Sequence, residues 1–335
     1  MEHVSVLKKE VYEYLDLKEG DVVVDATLGL GGHAKGMLEL IGSKGRLIGF
    51  DQDERNLAEA KKRLIEAGYE KNIELIHDNF RSLKTRLEEV SDSGVRDDDK
   101  EGIKVDAILF DLGVSSPHLD LAERGFSFQK EGPLDMRFSE TQRITAADVI
   151  NDYPEAQLAD VIFLYGEERA SRKIARRIVE RRQDKKFETT KELADFIEGV
   201  IPVRYPKKKA GGGRASRSSK KHPATKTFQA LRIEVNDELN ALKEALQDSI
   251  DVLQIGGRVV VISYHSLEDR IVKHFFKELN RTCICPREQL VCDCRGESVV
   301  ELVTRKPVAP SKEEVSENPR ARSAKLRAVK KLREI

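Results

Sequence analysis

The sequence predicts an α/β protein whose doubly wound, mostly parallel sheet is interrupted by an inserted helical segment. Short apolar runs alternate with amphipathic helical patterns up to about Pro117. A glycine-rich stretch follows the first of these runs. After a long helical stretch an apolar run returns at Arg258–Ser263, so the C-terminal part of the chain is expected to complete the sheet.

The first predicted strand, Val22–Val24, leads through Asp25 into the glycines Gly29, Gly31 and Gly32. Glycine permits a positive φ and leaves no Cβ between the backbone and a ligand. The free N–H groups of the helix that follows attract polar or anionic ligand groups. This stretch therefore predicts a strand, a cofactor loop and a helix.

Two cofactor classes fit this loop. Gly29-x-Gly31-x-x-Ala34 satisfies the relaxed dinucleotide fingerprint. In another register, Asp25-x-Thr27-x-Gly29-x-Gly31 matches the acidic glycine loop of enzymes that use S-adenosylmethionine (SAM), with Thr27 in place of the first glycine. The carboxylate of Asp25 favours SAM, because it attracts the ammonium group of SAM and repels a pyrophosphate.

Three further predicted strands carry polar or aromatic residues to the same edge of the sheet. Doubly wound folds place a ribose-binding acid after the second strand, so Asp51 is the ribose candidate and Asp53 the N-cap of the next helix. Phe80 leaves the third strand towards an adenine-sized slot, and Asp111 follows the fourth. These strands are predicted over Arg46–Phe50, Ile73–Phe80 and Val105–Phe110.

The middle of the chain is predicted to be helical. The sheet domain is therefore predicted to be discontinuous, over residues 1–118 and 222–335, with a helical domain inserted over 119–221. The inserted domain is predicted to recognise RNA and to end in a basic flexible linker. The helices are expected over Ala146–Asn151, Glu155–Phe163, Glu167–Arg182, Thr189–Val200 and Ala224–Leu253, with Thr189 as a cap.

The formal net charge is zero, with 59 basic and 59 acidic residues, yet the charges are segregated. Three segments are strongly basic: Arg204–Lys226 and Arg320–Arg333 contain no acid, and Arg169–Lys186 has nine basic residues against two acids. Such segregation in a neutral protein favours a polyanionic partner, so nucleic acid is the expected one. The linker and the C-terminal tail are predicted to bind RNA phosphates and to become ordered on binding.

The composition argues against a membrane protein. Charged residues make up 35% of the chain, and no apolar run approaches the roughly 20 residues of a membrane span. The first residues lack the basic and apolar regions of a secretory signal. A cytoplasmic protein without membrane contact is expected.

Nine sequence blocks occur in order over nearly the whole chain. They are DATLGLGGH at 25–33, DLGVSSP at 111–117, RGFSF at 124–128, GPLDMR at 132–137, YGEER at 165–169, HPAT at 222–225, FQALRI at 228–233, SYHSLEDR at 263–270 and NPRARSAK at 318–325. These blocks resemble the MraW-type bacterial 16S ribosomal RNA cytosine-N4 methyltransferases. The resemblance implies a class I SAM-dependent methyltransferase fold with an inserted helical domain, and methylation of the N4 amine of a cytidine in the decoding centre of the small ribosomal subunit.

The resemblance also assigns cofactor contacts. By this resemblance, the residues expected to contact the cofactor are Gly31, Gly32, His33, Asp51, Phe80, Asp111 and His118. At the position of His118 the family usually has Gln.

The residue types agree with transfer to an exocyclic amine. Methylation of carbon 5 of cytosine needs a Cys nucleophile, conventionally after a Pro, and no Pro-Cys pair occurs. Transfer to an amine needs in-line positioning and a proton acceptor. Asp111 is the candidate acceptor. The residues proposed to stack on the cytosine are Phe126, Phe128, Tyr264 and His265, with an ordinary core role as the alternative for the two phenylalanines. Tyr264 and His265 are also candidate catalytic residues, because polar side chains that follow an apolar strand seldom serve packing.

All four cysteines lie within twelve residues of one another, as Cys283, Cys285, Cys292 and Cys294. Thiolates are favoured zinc ligands, so this cluster is a candidate zinc site that would pin a surface hairpin. The C-x-C spacing differs from the usual C-x-x-C knuckles, so free reduced thiols or a disulfide are the alternatives.

Two other functions compete with an RNA methyltransferase. An NAD-dependent oxidoreductase accounts for Gly29, Gly31 and Asp51 but leaves the basic segments unexplained. A non-catalytic ribosome-binding protein explains the basic segments but gives no role to Asp25, Asp51 and Asp111.

Overall fold

A computed structural model describes residues 5–92, 103–201, 222–283, 285, 289 and 296–334. The chain divides into two compact units. The first combines Met1–Gly113 with Leu239–Ile335, and the second is the continuous stretch Val114–Glu238.

The first unit is built on a seven-stranded sheet with the order β3-β2-β1-β4-β5-β7-β6. Strands β1 to β5 are parallel, and β7 pairs antiparallel with both β5 and β6. This arrangement confirms the predicted Rossmann-like α/β class, with one antiparallel strand between β5 and β6. The strands are β1 (Val22–Asp25), β2 (Arg46–Asp51), β3 (Ile73–His77), β4 (Val105–Asp111), β5 (Leu253–Ser263), β6 (Val300–Leu302) and β7 (Lys325–Lys331).

Apolar side chains cover both faces of this sheet. Alternate residues of one strand point to opposite faces, so Val23 and Val24 belong to different core clusters, and Leu47 and Ile48 do likewise. The helices of this unit are α1 (Lys8–Leu15), α2 (Gly32–Ile41), α3 (Glu54–Glu66), α4 (Leu83–Asp92), α11 (Glu238–Val252), α12 (Ser266–Leu279) and α13 (Lys312–Glu317). Residues of α1 to α3 pack in one cluster, and residues of α4, α11 and α12 pack in the other.

The second unit is helical and has its own apolar core. Buried Asn236 ties its parts together, since its Oδ1 accepts the Phe138 N–H at 2.9 Å and its Nδ2 donates to the Met136 carbonyl at 2.8 Å. The helices are α5 (Ser116–Asp120), α6 (Ala146–Asp152), α7 (Glu155–Leu164), α8 (Ser171–Arg182), α9 (Thr190–Val200) and α10 (Thr225–Asn236).

The sequence boundaries of the two units differ from the predicted domain boundaries. The predicted insertion, 119–221, ends before α10, yet α10 belongs to the second unit because it packs on α6 and α7. The single helix predicted over Ala224–Leu253 is also wrong. It breaks at Asp237, which adopts a left-handed φ of 49° between α10 and α11.

Other element ends follow from local backbone geometry. Helix α8 begins at Ser171, later than the predicted Glu167, because Glu167 itself has a φ of 49°. Strand β3 stops at His77, three residues before the predicted Phe80. The predicted caps are confirmed, since Asp53 accepts the Arg55 N–H and Thr189 accepts the Glu192 N–H.

The C-terminal basic tail is not the unfolded arm that the sequence predicted. Residues 325–331 form β7 inside the sheet. Arg327 and Lys325 pair with Asp269 at 2.8 and 3.1 Å, and the buried ammonium of Lys331 donates to two carbonyls at the end of α11. Lys331 also pairs with Glu334, so all three cations have partners within the fold. The basic linker, by contrast, lies largely outside the described residues, at 202–221.

None of the described helices has the length and apolar character needed to cross a membrane.

Candidate active site

The glycine loop connects β1 to α2 and needs glycine for its backbone angles. Gly29 has a φ of 53°, and Gly31, the residue before α2, has a φ of 77°. An added Cβ on Gly31 would meet Ala60 at an ordinary 3.6 Å, so the positive φ rather than crowding disfavours other residues there. The loop therefore directs its backbone towards the carboxyl edge of the sheet, where Asp25, Asp51 and Asp111 end their strands.

Asp51, the last residue of β2, is fixed by two backbone donors. Its Oδ2 accepts the Gly29 N–H at 2.8 Å, and its Oδ1 accepts the Asp53 N–H at 2.7 Å. Burial raises the pKa of Asp51 to about 7, although both hydrogen bonds act in the opposite direction. The carboxyl thus couples the second strand to the glycine loop.

Asp25 ends β1 and is 1% exposed. The Thr27 N–H donates to its Oδ1 at 3.2 Å. Burial raises the pKa of Asp25 to about 6, while His33 acts to lower it. A buried carboxyl with so little hydrogen bonding is costly unless a cation or donor approaches it.

His33 lies in the first turn of α2 and is 5% exposed. Neither of its ring nitrogens has a hydrogen-bond partner among the residues that the structure describes. Its Nε2 is 3.6 Å from Oδ2 of Asp111. Because buried polar atoms are normally paired, this ring is poised for a further polar partner.

Asp111 joins three segments at the end of β4. Its own N–H donates to Oγ1 of Thr27 at 2.6 Å, which links β4 to the glycine loop. Its Oδ1 accepts the phenol O–H of Tyr264 at 2.8 Å, which links β4 to the residue after β5. The structure thus brings together the predicted residues Asp25, His33, Asp111 and Tyr264.

His265, predicted as a catalytic or stacking candidate, is the N-cap of α12. Its Nδ1 accepts the Glu268 N–H, and Glu268 accepts the His265 N–H in return, which makes a capping box. Glu268 is buried and also accepts the Tyr264 N–H at 2.8 Å. Glu268 is not among the predicted site residues, although the spacing of His265 and Glu268 is that of a capping box.

Comparison with known proteins decides the family. The family described as the MraW methylase family matches residues 1–332. The chain belongs to the MraW methylase family. Relatives named "Ribosomal RNA small subunit methyltransferase H" are 46% identical in Clostridioides difficile (strain 630), over 98% of this chain and 99% of the relative, and 44% identical in Brevibacillus brevis, over 98% of each.

A third relative of that name, from Caldicellulosiruptor saccharolyticus, is 46% identical over 99% of each chain. Among solved structures, an rRNA methylase from Streptococcus thermophilus aligns over 99% of this chain and 100% of that chain, with 14% identity and a TM-score of 0.41. A structural likeness of this size carries no functional inference.

The residues at the sheet edge fit SAM, the cofactor that the resemblance implies for this family. Asp25 would face the ammonium group, because its carboxyl is buried and short of donors. Asp51 would bind the ribose hydroxyls from the end of β2. The unpartnered ring of His33, together with the backbone of Gly31 and Gly32, would face the polar amino-acid end of the cofactor.

Phe80 and His118 have different surroundings. Phe80 follows β3 and packs edge to face on Phe110, with ring centroids 5.9 Å apart. His118 belongs to the second unit, where its ring packs against both Phe126 and Phe138, with ring centroids 4.9 and 5.1 Å apart. The contact of His118 with the cofactor stays a prediction.

The phenylalanines considered for base stacking lie in the core of the second unit. Phe126 is buried against Phe138 and His118, and Phe128 packs on His222 and Phe228. Their packing agrees with the alternative of an ordinary core role.

The described residues give no support to the zinc site. Cys283 is a free thiol, and no candidate group of metal ligands among the described residues contains a cysteine. Cys292 and Cys294 lie outside the described residues.

Proposed function

We propose that this protein uses SAM to methylate the exocyclic N4 amine of a cytidine in the decoding centre of 16S rRNA. The observation that carries the proposal is the carboxylate of Asp111, which is held at the end of β4 beside the glycine loop. Family membership and the names of the relatives support RNA of the small subunit as the substrate.

When bound, SAM would supply a methyl group as its methyl–sulfur bond breaks, which leaves S-adenosylhomocysteine. The Asp111 carboxylate accepts an N–H of the cytosine amine and so orients the nitrogen lone pair for attack. As the new nitrogen–carbon bond forms, one amine proton leaves, and Asp111 takes it. The buried carboxyl of Asp25 and the half-buried carboxyl of Asp51 bind the cofactor and take no part in the proton transfer.

The cysteines argue against attack at carbon 5, which requires a thiolate. Helix α12 starts beside Tyr264 at the carboxyl edge of the sheet and continues for 14 residues, about 20 Å, before Cys283 is reached. All four cysteines lie between residues 283 and 294. An amine acceptor needs no such nucleophile.

The second unit offers a surface for RNA phosphates. Helix α8 buries Ile174 and Ile178 in the unit's core and exposes the cations Arg172, Lys173, Arg176 and Arg177 on its other side. Glu180 is the one acid within this helix and pairs with Arg177 at 2.7 Å and Arg176 at 4.0 Å. An exposed face with this excess of cations attracts a polyanion.

Replacement of the proton acceptor tests the proposal. Asp111→Asn keeps the shape of the side chain, so we expect turnover on small ribosomal subunits to fall by about two orders of magnitude or more while RNA affinity stays within about twofold. Asp106→Asn is the matched control, because Asp106 lies near the opposite end of the same strand and accepts the Val22 N–H. If Asp111→Asn retains full turnover, the acceptor role is wrong.

A further inference from the structure

The proton acceptor of the proposed reaction has a dedicated partner in Tyr264. The phenol of Tyr264 donates to Oδ1 of Asp111 at 2.8 Å, across 153 positions of sequence. Oδ2 of the same carboxylate faces Nε2 of His33 at 3.6 Å, beyond hydrogen-bond distance. The two oxygens of Asp111 are therefore not equivalent.

Tyr264 is held both through its backbone and through its ring. Its backbone N–H donates to Oε2 of Glu268 at 2.8 Å, and Glu268 is 3% exposed. Its ring lies over Gly113, where an added Cβ would approach Cδ2 of the ring to 3.3 Å. Gly113 has a φ of 101°, so this position disfavours any side chain. These contacts hold the phenol in place beside Asp111.

We propose that Tyr264 is a positioning residue for Asp111. By occupying Oδ1, it fixes the rotation of the carboxylate and leaves Oδ2 as the oxygen that takes the proton from the substrate amine. The inference rests on the proposed function, since it assigns the acceptor oxygen within that reaction.

The phenol acts as a donor and not as a base. Burial and the neighbouring carboxylate of Asp111 raise the pKa of Tyr264 well above its ordinary value, so its proton stays on the phenol at all working pH values. The other titratable groups that face Asp111 are His33 and Asp25. Neither donates a hydrogen bond to Oδ1.

Tyr264→Phe removes the hydroxyl alone. Loss of the hydrogen bond from the phenol to the charged carboxylate of Asp111 should lower kcat by about 10- to 100-fold. KM for SAM and for unmethylated small ribosomal subunits should stay within about twofold of the wild type. Tyr153→Phe is the matched control, because Tyr153 donates to Oε1 of Glu234 at 2.9 Å in the second unit. This control should keep wild-type turnover.

A pH–rate profile provides a readout that a merely structural role would not move. The phenol donates to the carboxylate that takes the proton, so its loss should shift the acidic limb of kcat to higher pH in Tyr264→Phe. Incorporation of 3-fluorotyrosine at position 264 keeps the ring and makes the phenol a stronger donor, so the limb should shift to lower pH. Rates are normalised to the protein that binds SAM in a titration, which corrects for any misfolded fraction.

The outcomes separate the two claims. The positioning role is overturned if both substitutions at position 264 leave kcat and the acidic limb of its pH profile unchanged. A fall in kcat without a shift of the acidic limb also contradicts it. If Asp111→Asn is inactive while Tyr264→Phe is fully active, the acceptor stands and only the positioning role fails. If Asp111→Asn is fully active, the proposed reaction itself fails.

Discussion

The half-buried carboxyl of Asp51 predicts that cofactor affinity depends on pH near neutrality. The pKa of Asp51 is raised to about 7 by burial, and its ionised form is the better acceptor for two ribose hydroxyls. SAM affinity should therefore rise as the pH increases through 7. Asp51→Asn removes the titration while keeping the size of the side chain.

The magnitude follows from the ionised fraction. A carboxyl with a pKa of about 7 is roughly one-tenth ionised at pH 6 and roughly nine-tenths ionised at pH 8. If only the ionised form binds, affinity rises about tenfold over this interval, or about 1.4 kcal/mol. Asp25, with a pKa of about 6, adds about a factor of two. At pH 8, Asp51→Asn should lose about 1.5 to 3 kcal/mol of binding free energy.

Linkage gives the opposite sign for the stability of the cofactor-free fold. The folded-state pKa of Asp51 lies above its ordinary value of 3.8, so the folded state binds more protons than the unfolded state between about pH 4 and 7. The contribution of this group to the unfolding free energy therefore rises as the pH falls from 8 to 5. Protonation of Asp51 at pH 6 therefore does not unfold the protein. Weaker SAM binding at this pH reflects the loss of the ionised carboxylate.

The assay is calorimetric titration of SAM at pH 6, 7 and 8. The ammonium group of SAM also titrates, so the quantity that isolates Asp51 is the difference in pH dependence between the wild type and Asp51→Asn. Asp106→Asn is the control, since Asp106 accepts the Val22 N–H far from the carboxyl edge of the sheet. If Asp51→Asn keeps the full pH dependence of the wild type, the assignment of Asp51 to the ribose is refuted.

Two further predictions concern the second unit. Arg172→Gln with Arg176→Gln should lower the slope of log affinity against log salt for RNA by about 1.4, because two phosphate contacts to a single strand are lost. Asn236→Ala should lower the unfolding free energy by about 2 to 4 kcal/mol in denaturant titrations, because the Phe138 N–H and the Met136 carbonyl lose their buried partner.

Each of these predictions has a matched control. For the arginines, it is Lys61→Gln with Lys62→Gln, which removes two exposed cations from α3 in the first unit. If the slope of log RNA affinity against log salt stays unchanged in the arginine variant, the exposed cations of α8 do not contact RNA phosphates. For Asn236 the control is Asn240→Ala at an exposed position of α11, where the change should stay within about 0.5 kcal/mol. An equally small loss at Asn236 would contradict its structural role.

The strand ends of the candidate site could be predicted because they depend on local patterns. Short apolar runs that stop at an acid identified Asp25, Asp51 and Asp111, and glycines marked the loop after β1. The pairing of Asp111 with Tyr264 could not be predicted, because it depends on how β4 and β5 lie beside each other in the sheet. Residue type suggested a role for Tyr264, and only tertiary structure specified its partner.

Two predictions from the sequence were wrong for physical reasons that amino-acid composition does not show. The helix break at Asp237 was missed because a non-glycine residue adopts a left-handed φ there, held between two helices that each pack well. The basic tail predicts an RNA-binding arm because residues 320–333 contain no acid. In strand β7, however, Lys325 and Arg327 pair with Asp269, and Lys331 pairs with Glu334 and donates to two backbone carbonyls, so these cations are bound within the fold.

The most direct test of the central claim is the chemical identity of the methylated nucleoside. Unmethylated small ribosomal subunits are incubated with the protein and SAM, and the 16S rRNA is digested and analysed by mass spectrometry against synthetic standards. We expect N4-methylcytidine at one position, with a rate of formation lower by about 100-fold or more in Asp111→Asn. The appearance of 5-methylcytidine, or of N4-methylcytidine in equal yield from Asp111→Asn, would contradict it.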